Sequence, residues 1–239
     1  MLKEFVKKII KTIPIPLTKN HKYDLLSRKI IKKLPVSANC IDVGAYKGEI
    51  LDLFMKVAPH GQHFGIEPLP AHFDFLQRKF SKSKKCVLHN FAASNVSGES
   101  PFNFVITNPS YSGLKRRDYD KPNEKDTTIM VKTELLDHVI PKDVGIDLIK
   151  IDVEGGELQV LEGAYQIIKK HLPLIIFEHG IGAANHYGTS PSDIFDFFDK
   201  IPMKITSLAQ YARDQEPISK EEFERQFFNN LNYYFVAFV

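Results

Sequence analysis

Residues 41–50 read IDVGAYKGEI, an apolar run that carries Asp42 and breaks at Gly44, after which helical spacing begins at Glu49. A short apolar strand, a glycine turn and a helix start are the first half of a βαβ unit. The same sequence of signals recurs downstream. Apolar runs at Cys40–Val43, His63–Ile66, Val87–Phe91, Asp147–Ile151 and Leu174–Phe177 alternate with amphipathic stretches at Glu49–Val57, Pro70–Phe80 and Glu157–His171. This alternation predicts a Rossmann-like, doubly wound, mostly parallel α/β sheet. Ser190, Pro191 and Asp193 occupy N-cap, N1 and N3 of a capping box and start another helix. Two further strands are expected at Met203–Leu208 and Tyr233–Val239, with no helix of crossover length between them, so they are predicted to pair antiparallel at the sheet edge. Between Pro101 and Thr133 the pattern changes to a strand-like Phe102–Thr107, a polar loop and a strand-like Thr128–Thr133, read as an insertion near the site.

The rest of the chain bounds this reading. Its 239 residues, 43% of them hydrophobic, suffice for one domain core with short additions. No apolar run is long enough to span a membrane, and lysines at 7, 8 and 11 interrupt any secretion signal. Cys40 and Cys86 show neither metal-ligand nor disulfide spacing, which suits a reducing compartment, the cytoplasm. The net charge of +3 is unevenly spread: residues 1–35 hold ten Lys/Arg against Glu4 and Asp24, a balance of +8 that leaves −5 for the remainder. Leu2, Phe5, Val6, Ile9, Ile10 and Ile13 recur at helical spacing among those lysines. Residues 1–35 therefore read as a basic amphipathic helical extension to a domain at 36–239. Its residues 1–16 suit an anionic membrane surface, and the apolar stripe equally suits the protein's own core or a homodimer mate. A second helix is expected over 21–34.

The chemistry gathers at the carboxyl ends of the expected strands. Gly44 and Gly48 permit tight turning and close ligand approach, with Asp42 on the rim. Glu67, in GIEP at 65–68, follows about 20 residues on, the spacing at which a carboxylate accepts both hydroxyls of a ribose; an adenosyl ligand fits the pair. Residues 147–164, DLIKIDVEGGELQVLEGA, deliver Asp152 and Glu154 to a strand end before Glu157 opens a helix. Burial and repulsion can turn one such carboxylate into a general base, and a hard divalent cation such as Mg can bridge several of them. Glu157 also suits the positive end of its own helix. The run PLIIFEHG, 173–180, adds Glu178 and His179 as base, metal ligand or substrate contact, so the candidate metal ligands are Asp152, Glu154, Glu178 and His179.

Read together, IDVGAYKGEI, GIEPLPAHFDFLQ, HNFAASNVSGE, NPSYSGL, KIDVEGGELQVLEGA, IIFEHG and the closing NYYFVAF resemble the FkbM-type family of S-adenosylmethionine-dependent methyltransferases over roughly residues 38–239. Tyr46-Lys47 departs from the small or amide residue and apolar residue common there. The resemblance implies the class I methyltransferase fold and makes 36–239 the catalytic domain. It implies that Asp42, Gly44, Ala45, Tyr46 and Gly48 surround the methionyl portion of S-adenosylmethionine. Glu67 and Pro68 would then hold the ribose, and Asn90, Phe91, Ala92 and Ala93 would frame adenine. It further implies O-methylation of a hydroxyl on a sugar, glycan or secondary metabolite. Asp152 and Glu154 then lead as catalytic residues, followed by Glu178 and His179, with Asp152 also bordering the cofactor. The loop Asn108–Asp126, with Ser110, Tyr111, Ser112, Lys115, Arg116 and Arg117, suits closure over a small-molecule or saccharide acceptor and contact with hydroxyls or phosphate.

Two other function classes compete. A nicotinamide-dependent oxidoreductase shares the first turn, but Tyr46 stands where a dinucleotide fingerprint wants glycine. A non-catalytic membrane- or partner-binding module would keep the pocket without turnover. Nucleic-acid methylation fits poorly, because the basic residues cluster in the terminal segment while the remainder is acidic.

Overall fold

The computed structural model describes residues 15–119 and 121–239. The amphipathic stripe expected over 1–16 therefore lies, but for Ile15 and Pro16, outside the described residues. In chain order the elements are α1 (Lys19–Ile31), β1 (Cys40–Val43), α2 (Glu49–Val57), β2 (His63–Ile66), α3 (Pro70–Phe80), β3 (Cys86–His89), β4 (Ala92–Ala93), β5 (Gly98–Val105) and β6 (Asp126–Glu134). They continue with α4 (Leu136–Val139), β7 (Leu148–Ile151), α5 (Glu157–Gly163), α6 (Tyr165–His171), β8 (Leu174–Glu178), α7 (Pro191–Asp199), β9 (Lys204–Ser207), α8 (Leu208–Tyr211), α9 (Lys220–Phe228) and β10 (Tyr234–Phe238). Short 3-10 turns lie at Pro109–Tyr111 and Ala184–Tyr187.

Seven strands form the central sheet in the order β3-β2-β1-β7-β8-β10-β9, parallel except for β10, which runs antiparallel to both β8 and β9. The expected Rossmann-like doubly wound sheet with an antiparallel ending is present. β1, β2 and β7 are buried at every position, which is why they read as continuous apolar runs. The chain winds outward from β1 to β3 and returns to β7 on the other side of β1. The β1/β7 boundary is thus the topological switch point, where open α/β sheets hold their ligands.

The period of two along each strand divides the core. Ile149, Ile151, Phe177 and Phe235 face one cluster with Phe198 and Phe223. Leu148, Ile176 and Val236 face a second cluster with Phe54, Leu51 and, from α1, Tyr23, Ile30 and Ile31. The described helix of the extension is thereby built into the core of the domain it precedes.

Four local features differ from the sequence expectations. The stretch Glu157–His171 is two helices, broken at Ala164 (φ −113°, ψ 11°). β3 ends at His89 rather than Phe91. A nine-residue helix, α9, lies between β9 and β10, capped by Ser219 and anchored by buried Phe223 and Phe227. The segment 98–134 forms a long antiparallel pair, β5 with β6, which β4 joins as a separate three-stranded sheet over its own small core of Leu69, Ala92, Phe102 and Val131. The capping box at Ser190 and Asp193 is formed as expected. Both cysteines are free thiols. Among the described residues no helix is long and apolar enough to cross a membrane.

Candidate functional site

Two cavities meet at the carboxyl ends of β1, β7 and β8. The first, of about 250 Å³, is lined by the β1–α2 turn, Glu67, the β3–β4 segment, the small sheet and the end of β7. The second, of about 440 Å³, is lined by α1, the 108–117 loop, the ends of β7 and β8 and the turn leading into β10. Ile50, Ser110, Lys150, Asp152 and Glu154 belong to both linings.

In the first cavity Glu67 is buried at 4% exposure, and each of its carboxylate oxygens takes one backbone N–H. Oε2 accepts from Tyr46 N at 2.8 Å and Oε1 from Leu69 N at 2.9 Å. A carboxylate has about four lone-pair sites, so acceptors for a diol remain. The contact also fixes Tyr46, which sits in the left-handed region at φ 49°. His72 stands 3.8 Å from the same carboxylate and packs edge-on to Tyr46. Asp42 is fully buried, and its Oδ1 has no hydrogen-bond partner. Burial pushes its carboxyl up to about 7, partly offset by Lys150. A buried acceptor without a hydrogen bond and a second buried carboxylate with acceptor sites to spare, both lining one cavity, fit the ammonium and ribose of an adenosyl amino acid.

Of the residues expected to hold the cofactor, Gly44, Ala45, Tyr46, Pro68, Ala92, Ala93 and Asp152 line this cavity with Asp42 and Glu67. Gly48 and Asn90 do not line it. Gly48 has φ 69°, and a Cβ there would meet Leu76 and Phe80 at 2.7 Å, so its close approach is to α3 rather than to a ligand. Asn90 is exposed and donates through Nδ2 to the carbonyls of Glu67 and Pro68, bracing the turn from behind. Phe91, Leu69, Phe102 and Leu114 supply apolar surface. Of these only Phe91 belongs to a motif that had been tied to the ligand; Phe102 and Leu114 come from the small sheet and its loop, whose placement sequence spacing does not report.

The wall between the cavities is built by strand register. Lys150 and Asp152 follow Leu148 at intervals of two along β7 and its exit, Glu178 follows Ile176 at the same interval on β8, and Tyr234 of β10 pairs directly with Glu178. All four side chains therefore emerge on one side of three neighbouring strands. Asp152 Oδ2 accepts from Tyr234 Oη at 2.6 Å and from Lys150 Nζ at 2.9 Å. Burial opposes ionisation of Asp152, yet Lys150 and hydrogen bonds from Glu178 and Tyr234 outweigh it and hold the carboxyl down at about 2. Glu178 goes the other way, raised by burial and by the Asp152 charge. Lys150 stays protonated: burial works against the ammonium, but Asp152 and Asp42 more than compensate. Lys150 and Tyr234 were not singled out by sequence. A lysine inside the otherwise apolar run LIKI is the one local signal that pointed to the first.

The turn after β7 carries Glu154, at φ 60°, into the same wall, where it pairs with Arg117 of the loop. Glu157 folds back, Oε1 accepting from Gly155 N at 3.0 Å and Val153 N at 3.3 Å, and so fixes that turn. Its carboxyl serves its own helix start rather than a ligand. Asp152, Glu154 and Glu178 place oxygens within 4.8 Å of one another, a spacing a cation would accept. Lys150 and Arg117 already neutralise two of the three carboxylates. This donor set does not fit a resident divalent ion.

His179 is not brought to the site. One residue beyond Glu178, it falls on the opposite side of the strand, fully buried and stacked on Phe223 and Phe227 at 6.0 and 4.8 Å. Burial pushes its imidazole down to about 4, which leaves it a neutral core residue. In the loop, Ser110 lines both cavities, Ser112 the first, and Tyr111 and Arg117 the second. Arg117 is committed to Glu154, Arg116 pairs with Asp126 at 2.9 Å, and Lys115 is exposed outside both linings.

Comparison with known proteins agrees with this geometry. Methyltransferase sdnD of Sordaria araneosa is 28% identical over 174 residues, covering 60% of this chain; the match spans 64% of that relative's length. The crystal structure of methyltransferase FkbM from Methylobacillus flagellatus KT superposes with a TM-score of 0.53 at 17% identity, over 87% of this chain and 44% of that one, a likeness of fold. The model of the methyltransferase FkbM domain matches residues 42–210, from the aspartate of β1 to the helix after β9, and the chain accordingly belongs to the FkbM methyltransferase family.

Proposed function

We propose that the protein is an S-adenosylmethionine-dependent methyltransferase that methylates a hydroxyl oxygen of an uncharged small molecule or saccharide. The observation that carries this reading is the shared wall: Lys150, Asp152, Glu154 and Ser110 border both a cavity suited to an adenosyl amino acid and a second, polar cavity beside it. Bound S-adenosylmethionine supplies a sulfonium methyl that is already electrophilic. Glu67 holds ribose hydroxyls, Asp42 Oδ1 receives the ammonium, and Phe102, Leu69 and Leu114 keep water from the apolar roof.

Asp152 faces the acceptor hydroxyl and accepts its hydrogen, orienting an oxygen lone pair toward the methyl. A carboxylate held near 2 is a weak base, but the hydroxyl becomes strongly acidic as its oxygen gains the methyl, so Asp152 can take the proton late. Glu178, raised by burial and by the charge of its neighbour, favours keeping the negative charge of the pair on Asp152. The second cavity sets Asp152 and Glu154 against Lys150 and Arg117, a balanced charge that favours neutral acceptors over phosphorylated ones.

Calorimetric titration with S-adenosylmethionine, S-adenosylhomocysteine and NAD tests the assignment. Both sulfur ligands are expected to bind, NAD is not, and Glu67→Ala is expected to weaken binding by about tenfold or more, the loss of charge-assisted hydrogen bonds. Binding of NAD alone would sink methyl transfer.

A further inference from the structure

The second cavity is lined on one side by the start of α1 and by the turn that leads from α9 into β10. Lys19 Nζ donates to the carbonyl of Asn230 at 2.8 Å and stands 4.7 Å over the Tyr233 ring, while Tyr23 Oη donates to Asn232 Oδ1 at 3.0 Å, so these two segments form one rim. That rim is apolar and exposed. Leu17, two residues before Lys19, is 56% exposed; Phe228 and Leu231, on either side of Asn230, are 62% and 42% exposed. Ile181, 48% exposed, lines the cavity together with Asn20 and Asn230.

The stretch of sequence that leads into this rim is basic, and Asp24 on the cavity lining is paired with Arg28. Along the first 22 residues of the sequence, Lys3, Lys7, Lys8, Lys11, Lys19 and Lys22 stand against Glu4 alone. An exposed apolar rim whose first residue, Leu17, lies within that lysine-rich stretch of sequence matches a bilayer whose headgroups are anionic: the apolar side chains enter the interface and exposed lysines such as Lys22 meet the phosphates. A second copy of the same rim is a poor partner, because a two-fold contact would bring lysines against lysines.

We propose that the rim formed by Leu17, Phe228, Leu231 and Ile181 docks on an anionic lipid bilayer, with the mouth of the second cavity facing the membrane. Docking itself does not depend on methyl transfer. Its consequence rests on the proposed function: an acceptor carried by a lipid would enter the second cavity directly from the interface.

The chain contains no tryptophan, so a single introduced one reports its own surroundings. In Phe228→Trp, vesicles of phosphatidylcholine with about one-third phosphatidylglycerol are expected to shift the emission to the blue, while phosphatidylcholine alone leaves it unchanged. Val96→Trp, at an exposed position on the turn before β5, is expected to show no shift with either. Adding Leu17→Asp or Leu231→Asp to Phe228→Trp is expected to lower the vesicle partition coefficient by about tenfold or more, with the far-UV circular dichroism unchanged. The proposal is overturned by no shift at position 228, by an equal shift at position 96, or by equal binding to phosphatidylcholine. It is also overturned by a shift that appears without vesicles and grows with protein concentration, which would mark a second copy as the occupant. Calorimetry with S-adenosylhomocysteine on the same variants is independent of these readouts; silence there would sink the methyltransferase assignment and leave the docking standing.

Discussion

Tyr234 and Asp152 stand 82 positions apart in the chain, and the phenol of one donates to the carboxylate of the other at 2.6 Å. The bond joins the antiparallel ending of the sheet to the strand at the switch point, and it is one of three interactions, with Lys150 and Glu178, that hold the Asp152 carboxyl down while that of Glu178 is raised. Tyr234→Phe removes the donor without changing the ring. The Asp152 carboxyl is then expected to rise from its low value and that of Glu178 to fall, because the charge is less firmly held on one member. Carboxyl-carbon NMR titration of wild type and variant checks this; an unmoved Asp152 would show that Lys150 and Glu178 set its ionisation without Tyr234.

Lys150 separates two buried acids, 2.9 Å from Asp152 and 3.9 Å from Asp42. Lys150→Met keeps the length of the side chain and deletes the charge. Leaving buried carboxylates without their cation is expected to cost about 3–5 kcal/mol of stability near neutral pH. The penalty should shrink as the pH falls and the acids take up protons. Urea unfolding at several pH values measures both effects.

Asp42 ties ligand binding to pH. Its carboxyl is raised to about 7 in the folded protein, so the folded state binds the proton more tightly than the unfolded chain does. Its contribution to stability is therefore greatest below the ordinary carboxylate range and declines as pH rises toward 7. A ligand ammonium favours the ionised form, so affinity should run the opposite way. S-adenosylhomocysteine is expected to bind roughly tenfold more tightly at pH 7 than at pH 5.5, and Asp42→Asn should bind weakly with that dependence gone. Calorimetry in buffers of different ionisation enthalpy should also register a proton released on binding below pH 7.

The carboxylates of the shared wall are matched to Lys150 and Arg117. Manganese added to the protein should keep the paramagnetic resonance signal of the free aquo ion, and Arg117→Met, which strips Glu154 of its partner, should bind it more tightly. Tight manganese binding by wild type would reverse the conclusion that these residues do not suit a resident cation.

Much of the scaffold was legible because burial on both faces writes itself into strand composition: β1 and β2 have the boundaries that their apolar runs predict. The helix α9 was not, since KEEFERQFF places buried Phe223 and Phe227 on one narrow stripe among charges, too weak a periodicity to stand out. At the site, Asp42, Glu67 and Asp152 were readable as acids at strand ends. Which neighbour shares their side of the sheet was not. A shift of one position along β8 separates Glu178, in the wall, from His179, in the phenylalanine core, and pattern alone gave both the same standing. Tyr234 and Arg117 reach the wall through β10 pairing and a loop crossing, contacts between residues far apart in sequence.

The placement of β10 also bears on how the protein is made. β10 follows β9 in the chain yet lies between β8 and β9. Until residues 234–238 arrive, β8 has an open edge and β9 has no strand to join. Assembly of the sheet therefore ends with an insertion rather than an addition. The same late strand brings Tyr234 to Asp152, so a nascent chain cannot hold its acid wall in working order before the sheet has closed.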